Sequence, residues 1–434
     1  MTSLLIKNCR LIYKGSNVVR HIYIENGKIA AITKELRNAD KILNANGNYV
    51  IPGLIDSHVH FRDPGMEHKE DFLTGSKAAA AGGVTTVLDM PNTKPPCITV
   101  KALERKRQIA AKKSVVNYGF HFGATLDNLN ELEEVDNIAS VKVYMGSSTG
   151  DLLVDDDGAL FEIFSKAKIC TLHAESEPLI KHFTEKYHDY KVADVHCDIR
   201  TNMVAAEAVS RALTLAKYTG VKLYFAHTST KDELDLLAGR RAFVEVTPHH
   251  LFLSEKDMSR LDNFGKMNPP LRSKKDMEAL WNGIKVGAVH TIATDHAPHT
   301  IAEKQKDYWN APSGVPGVET MLPLLLNEVN NGNLSLTKVV ELTSINPAKI
   351  FGIKNKGFIK EGFDADLTII DLNMVKRVNN DELFTKCKWS PFHGWKLQGW
   401  PVTTIVNGNV VFHDGEVNER YHGKEVQFKD VKEE

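Results

Sequence analysis

The feature that most constrains this chain is an alternation of short apolar runs with amphipathic stretches, extending from about Gly53 to Gly352. GVTTVLDM, ASVKVYMG, KICTLHAE, VKLYFAHTS, RAFVEVTPHH and VHTIATDHAPH are rich in β-branched residues, and each ends in polar or ionisable ones. DFLTGSKAAAAGG, VAAEAVSRALTLAKYTG and KKDMEALWNGIKVG lie between them with apolar residues at helical spacing. Such alternation predicts an α/β fold, a parallel (β/α)8 TIM-like barrel. A stretch of this size suits one barrel better than two smaller domains.

The flanks read differently. LLIKNCRLIY, VRHIYIENGKIAAIT and KILNANGNYVIPG are short strands with hairpin signals at Asn26-Gly27 and Asn46-Gly47. DADLTIIDL and TTIVNGNVVFHDGEV repeat the style near the other end, with a turn at Asn407-Gly408. Neither flank alone has enough apolar strand to close a core, so the two are expected to join in one β-sandwich. The predicted domains are 1–52 plus 353–434 for the sandwich and 53–352 for the barrel. The charged tail from Lys429 to Glu434 is expected to fray.

Composition narrows the class of function. A formal net charge of -1 offers nothing to a polyanionic partner and argues against nucleic acid or an acidic membrane surface. Five scattered cysteines, without a CxxC pair, argue against a disulfide framework or thiolate zinc knot and fit a reducing cytoplasm. TSLLIKNCRLIY is too short and too interrupted for a secretory segment, and no apolar run approaches the ~20 residues of a membrane helix. A soluble, cytoplasmic protein is expected.

Chemistry gathers at predicted strand tips: His58 and His60 after GLIDS, His173 after KICTL, His227 after KLYFA, Asp295 after HTIAT. In a βα barrel those tips converge on one mouth. Four imidazoles and a carboxylate buried there unpaired would be costly, and a divalent cation resolves the cost. Alternate residues of a strand share a face, so His58 and His60 can address one metal. HxH alone is a weak signal. Followed by Phe61-Arg62-Asp63-Pro64-Gly65, it becomes strong, for DSHVHFRDPG resembles the opening motif of dihydroorotases in the amidohydrolase superfamily. That resemblance runs over essentially the whole chain.

The resemblance implies a binuclear zinc site: two Zn2+ per subunit, bridged by a carboxylated Lys142 and a hydroxide. His58, His60 and Asp295 would hold the first ion, His173 and His227 the second, and Asp295 would also carry the proton. Lys142 sits inside the apolar strand VKVYMG, where an ammonium suffers desolvation; the competing reading is a lysine that snorkels to solvent. Some relatives use an aspartate a few residues downstream as bridge. Here Gly146 to Ser148 read GSS, so the lysine-bridged form is preferred, and Asp151 and Asp155 to Asp157 look like a solvated loop or helix start.

Specificity is expected from Arg62, Asn92 and His299, which match positions where dihydroorotases hold the substrate α-carboxylate; an arginine can clamp such a group bidentately. The competing reading of Arg62 is a surface ion pair with Asp63 or Glu67. Asn268 resembles a position touching the pyrimidine ring, and the Ala311 to Gly317 loop, through Ser313 and Gly314, one offering backbone groups to it. His249-His250, His121, His182, His188 and His196 are left to structural roles. The expected activity is reversible cyclisation of N-carbamoyl-L-aspartate to L-dihydroorotate in pyrimidine synthesis. The rival readings are a hydantoinase or dihydropyrimidinase-like hydrolase and an inactive scaffold. The family also suggests a homodimer and association with aspartate transcarbamoylase.

Overall fold

Eight parallel strands form the barrel. The computed structural model describes residues 3–13, 16–147 and 152–429, so Ser148, Asp151 and the tail beyond Lys429 lie outside the described residues. In chain order the barrel strands are Leu54–Val59, Val84–Asp89, Asn117–Phe120 (resuming as Phe122–Gly123), Val141–Tyr144, Ile169–His173, Lys222–Phe225, Ala242–Val246 and Thr291–Ile292. Paired neighbours run parallel. The ring closes where Val59 bridges His296 and the His60 amide donates to the His296 carbonyl at 2.8 Å. Asp56 reinforces that seam by accepting from the Thr294 amide (3.0 Å) and hydroxyl (2.5 Å). Its burial pushes the Asp56 carboxyl up to about 6, against the pull of those bonds.

The helical stretches fold as their spacing predicts. Phe72–Ala81 starts at a capping box between Asp71 and Thr74; Asn202–Thr219 and Lys274–Val286 end at Gly220 and Gly287, both left-handed. Asp156 caps Asp157–Lys166, the helix start expected there. The third strand carried no clear signal, since Gly119 and polar neighbours interrupt its apolar run. It is held on one side by the second strand, and on the other Tyr118 exchanges backbone bonds with Lys424 and Val426.

Both flanks enter one sheet. The N-terminal strands Ser3–Tyr13, Ser16–Glu25, Lys28–Thr33, Lys41–Asn44 and Tyr49–Pro52 join Leu367–Arg377, Lys396–Val406, Asn409–His413 and Glu416–Val417. The junction is antiparallel, with Pro52 opposite Leu367 and Tyr49 opposite Ile370. Ile6, Leu11, Ile22, Ile24, Val50, Leu367, Ile369 and Ile405 share one apolar cluster. The sheet is also tied to the barrel, with the Thr368 and Thr404 hydroxyls donating to the Gly83 and Ala80 carbonyls, each at 2.7 Å. Asn26-Gly27 and Asn407-Gly408 make the expected hairpin turns, with both residues at positive φ. Asn46-Gly47 also turns with positive φ, but joins two strands that both run parallel to Ser3–Tyr13, so it is not a hairpin. The bulge between Ile6 and Cys9 gives each of those strands its own stretch of partner.

One buried ion pair anchors the backbone at the barrel mouth. Lys106 Nζ lies 2.5 Å from Asp89 Oδ2 and donates to the Met90 carbonyl (2.6 Å), while Asp89 Oδ1 accepts the Phe61 amide at 2.7 Å. Lys106→Met leaves the Asp89 charge buried and unpaired, and is expected to destabilise the fold by about 3–5 kcal/mol. Urea unfolding followed by circular dichroism measures this; a loss below about 1 kcal/mol would show that the pair is dispensable.

Candidate metal centre and substrate pocket

The strand tips bring the expected donors together. One donor atom each from His58, His60 and Asp295 all lie within 4.8 Å of one another, and all three residues are buried. His58 Nε2 and His60 Nε2 stand 3.3 and 3.0 Å from Asp295 Oδ1. A row of imidazoles runs across the mouth: ring centroids are 5.2 Å apart for His60 and His58, 5.4 Å for His58 and His227, and 4.7 Å for His227 and His173. His173 Nδ1 and His227 Nε2 face each other at 3.0 Å.

The far nitrogens explain those orientations. His58 Nδ1 donates to Glu245 Oε1 (2.8 Å), His60 Nδ1 to Asn92 Oδ1 (2.6 Å), and His173 Nε2 to Glu175 Oε2 (2.8 Å). Outer carboxylates and amides of this kind fix the tautomer and aim the remaining nitrogen at a cation. Burial holds His60 down at about 3, opposed by its contact with Asp295. Burial alone would raise Asp295, but His58 and His60 keep it well below the carboxylate range, so it is ionised. His227 and Asp295 sit at φ 38° and 46°, and Arg62 at 63°, a left-handed conformation rare for side-chain-bearing residues and typical of strained functional sites.

Lys142 is fully buried, which removes the snorkelling alternative, and its Nζ has no hydrogen-bond partner among the described residues. Desolvation pushes it down to about 8, while Glu245 and Asp295 oppose the shift. Its charge is felt in turn at His173 and His227. A buried amine without a hydrogen-bond partner beside imidazoles and a carboxylate fits a cation-binding shell, whose donor set has the right chemistry.

Arg62 is buried too, and Asp63 pairs with Lys113 at 2.7 Å, so the surface-pair alternative for Arg62 fails. Arg62 Nε donates to the Pro298 carbonyl at 3.3 Å, and Nη1 is unpartnered among the described residues. Its Nη2 lies 3.2 Å from His299 Nε2. Lys69 Nζ donates to His299 Nδ1 (3.1 Å), and burial with the charges of Arg62 and Lys69 keeps that imidazole neutral. The proton is therefore on Nε2, which donates to the Ser313 carbonyl at 3.0 Å. Arg62 Nη2 thus faces another donor. Two guanidinium nitrogens without an acceptor call for an anion.

Asn268 and the 311–317 segment are held by His196, as a structural histidine, and by two lysines, Lys266 and Lys304, that the sequence did not single out. Asn268 Oδ1 accepts from His196 Nε2 (2.8 Å), whose Nδ1 meets the Tyr308 hydroxyl at 2.9 Å. Lys266 Nζ donates to the Tyr308 and Ala311 carbonyls, each at 2.6 Å, and Lys304 Nζ to Pro312 (3.0 Å) and Gly314 (3.1 Å). Gly314 also gives its amide to Lys266, so its own backbone groups are engaged inside the protein. At φ 138°, with Ala297 O only 2.5 Å from where a Cβ would sit, position 314 accepts only glycine. His121 is doubly bonded to Ser140 (2.7 Å) and the Ser57 carbonyl (3.0 Å), and His250 to Thr247 (2.8 Å) and the Pro269 carbonyl (3.2 Å), as structural histidines are. His182 and His188 are exposed.

Glu245 and Glu175 were missed because a carboxylate inside or just beyond an apolar strand resembles an ordinary polar interruption. Alternation was the available signal: Glu245 lies two residues from both Phe243 and Thr247, one position out of the apolar phase.

A parallel barrel with metal-type donors at its mouth defines a metal-dependent hydrolase, and comparison with known proteins agrees. The model of the Amidohydrolase family matches residues 49–411. A dihydroorotase of Halobacterium salinarum is 42% identical over 416 residues, covering 94% of this chain and 97% of its own. One from Methanosarcina acetivorans is 40% identical, covering 96% and 94%. Among solved structures, an L-hydantoinase (dihydropyrimidinase) from Arthrobacter aurescens superposes with TM-score 0.94 at 33% identity, covering 98% of this chain and 100% of its own. The chain belongs to the amidohydrolase family and, within it, to the dihydroorotases. No helix among the described residues is long and apolar enough to cross a membrane.

Glu245→Gln keeps the shape of the site but removes the charge that orients His58. It is expected to weaken divalent-metal binding roughly 10–100-fold. Chelator competition on the purified variant measures this, and wild-type affinity would show that His58 needs no such support.

Proposed function

We propose that the protein interconverts N-carbamoyl-L-aspartate and L-dihydroorotate in the cytoplasm, using two zinc ions held by His58, His60, Lys142, His173, His227 and Asp295, with Lys142 carboxylated. The observation that carries this reading is Arg62, buried beside the His58–His60–Asp295 cluster with its Nη1 unpartnered and its Nη2 facing a donor. A carboxylate matches both nitrogens and the charge of that guanidinium, which favours a carboxylated ring over the uncharged rings of hydantoinases.

The residues divide the work. Arg62, Asn92 and His299 would hold the α-carboxylate, while Asn268 and the loop of Ser313 and Gly314 would wall the ring. When bound, the two cations supply Lewis acidity toward the amide carbonyl and lower the pKa of water toward neutrality. In hydrolysis the oxygen of water adds to the ring amide carbon and the carbon–nitrogen bond breaks. Asp295, ionised at the mouth, accepts the proton from the attacking oxygen and delivers it to the departing nitrogen. Cyclisation reverses each transfer: the carbamoyl nitrogen attacks the side-chain carboxylate, and water leaves. The working division is 53–352 for this chemistry and 1–52 plus 353–434 for the flanking sheet domain. A homodimer and association with aspartate transcarbamoylase complete the proposal.

The decisive experiment measures zinc content and L-dihydroorotate hydrolysis on the wild type and Lys142→Ala. The wild type is expected to hold stoichiometric zinc and turn over L-dihydroorotate faster than dihydropyrimidines, and the variant to lose metal and activity together. Faster turnover of the uncharged ring would favour a hydantoinase; a wild type without zinc would favour a scaffold.

Carboxylation of Lys142 requires the neutral amine to attack carbon dioxide, forming a carbamate and releasing a proton. With the amine pushed down to about 8, its neutral fraction rises about tenfold per pH unit below 8 and levels off above. Carbamate formation on metal-free protein at fixed dissolved carbon dioxide should follow that curve by mass spectrometry. A rate independent of pH between 6 and 9 would overturn the assignment.

A further inference from the structure

Tyr144 carries a hydroxyl that the scheme above does not use. It follows Lys142 by two residues on the fourth barrel strand, so both project to the inner face. In register it stands opposite His173, with rings 6.0 Å apart, and Lys142 Nζ lies 5.0 Å from the centre of its ring. The residue is 4% exposed, and its Oη is buried without a hydrogen-bond partner among the described residues. Two other buried phenols are paired: Tyr224 with Glu245 and Thr291, each at 2.7 Å, and Tyr308 with His196 at 2.9 Å. An unpaired buried hydroxyl weakens a fold, so one set between reactive groups points to a ligand.

Its position locates that ligand. Tyr144 packs between Lys142 and His173, both expected at the metal centre where the ring amide would be attacked, while Arg62 serves the carboxylate. The carboxylate has the Arg62 guanidinium, against which a neutral phenol competes poorly. The amide carbonyl beside Asp295 gains negative charge as the bond to water forms, and a fixed donor there strengthens in the transition state. Building on the dihydroorotase reading, we propose that Tyr144 Oη donates a hydrogen bond to the carbonyl oxygen under attack, which makes Tyr144 a further catalytic residue.

The test is Tyr144→Phe beside the wild type, with steady-state kinetics on L-dihydroorotate, metal content and thermal melting. The expected result is a kcat lower by roughly 10²-fold with KM within about twofold. Metal content should be unchanged. The melting temperature should be equal or higher, because no native hydrogen bond is lost. An unchanged kcat, an effect confined to KM, a loss of metal or a lower melting temperature would each overturn the assignment, the last two by making Tyr144 structural. A wild type inactive on L-dihydroorotate sinks the parent reading and this one with it; an active wild type matched by the variant sinks this one alone.

Discussion

The Glu245 carboxylate is buried, and through Oε1 it takes both the His58 imidazole (2.8 Å) and the His227 amide (2.9 Å). Oε2 accepts the Tyr224 hydroxyl at 2.7 Å. One side chain of the seventh strand therefore holds the first strand and the turn after the sixth in fixed relation. Parallel strands joined only by backbone bonds could tolerate small shifts at their ends, and a metal shell could not. Placing an acid in the barrel interior is unfavourable by itself. It becomes tolerable because its oxygens are hydrogen-bonded by His58, the His227 amide and Tyr224, and its charge also acts on Lys142.

Much of this was legible in the chain. The barrel showed as β-branched runs ending in His or Asp, because the Val, Ile and Leu of each strand pack outward against the helices while polar side chains such as Thr171, Tyr224 and Glu245 line the interior. The residues expected to hold metal showed because they close those runs. The third strand did not: one of its edges is completed by Lys424 and Val426, about 300 residues away, and no local window contains that information. Asn46-Gly47 has the dipeptide of a hairpin, yet its flanking strands lie side by side along Ser3–Tyr13. A turn's conformation is local, whereas the pairing it produces is not. Lys266 and Lys304 were hidden differently. Lysines normally mark solvent, but these two turn inward to bind carbonyls of the 308–314 segment. Their role appears only once that segment is folded over them.

A common economy governs the mouth of the barrel. Arg62 Nη1, Lys142 Nζ and Tyr144 Oη are all buried without partners among the described residues, as is His249 Nε2, whereas His121, His196, His250, Tyr224 and Tyr308 are bonded. The fold sacrifices stability at these atoms, and holds neighbouring backbone in left-handed conformations, to keep donors ready for a ligand. The Asp89–Lys106 pair and the Asp56–Thr294 seam lie beside them, where strong local contacts offset that loss.

The sheet built from both flanks has a consequence for biogenesis. Tyr49–Pro52 leaves the ribosome with one edge open, and its partner, Leu367–Arg377, follows about 300 residues later. At 5–20 residues per second that is roughly 15–60 s during which an apolar strand edge waits for its mate. The nascent barrel must mature around this open seam, so the interval before closure is when the chain is most exposed to self-association and depends most on chaperones.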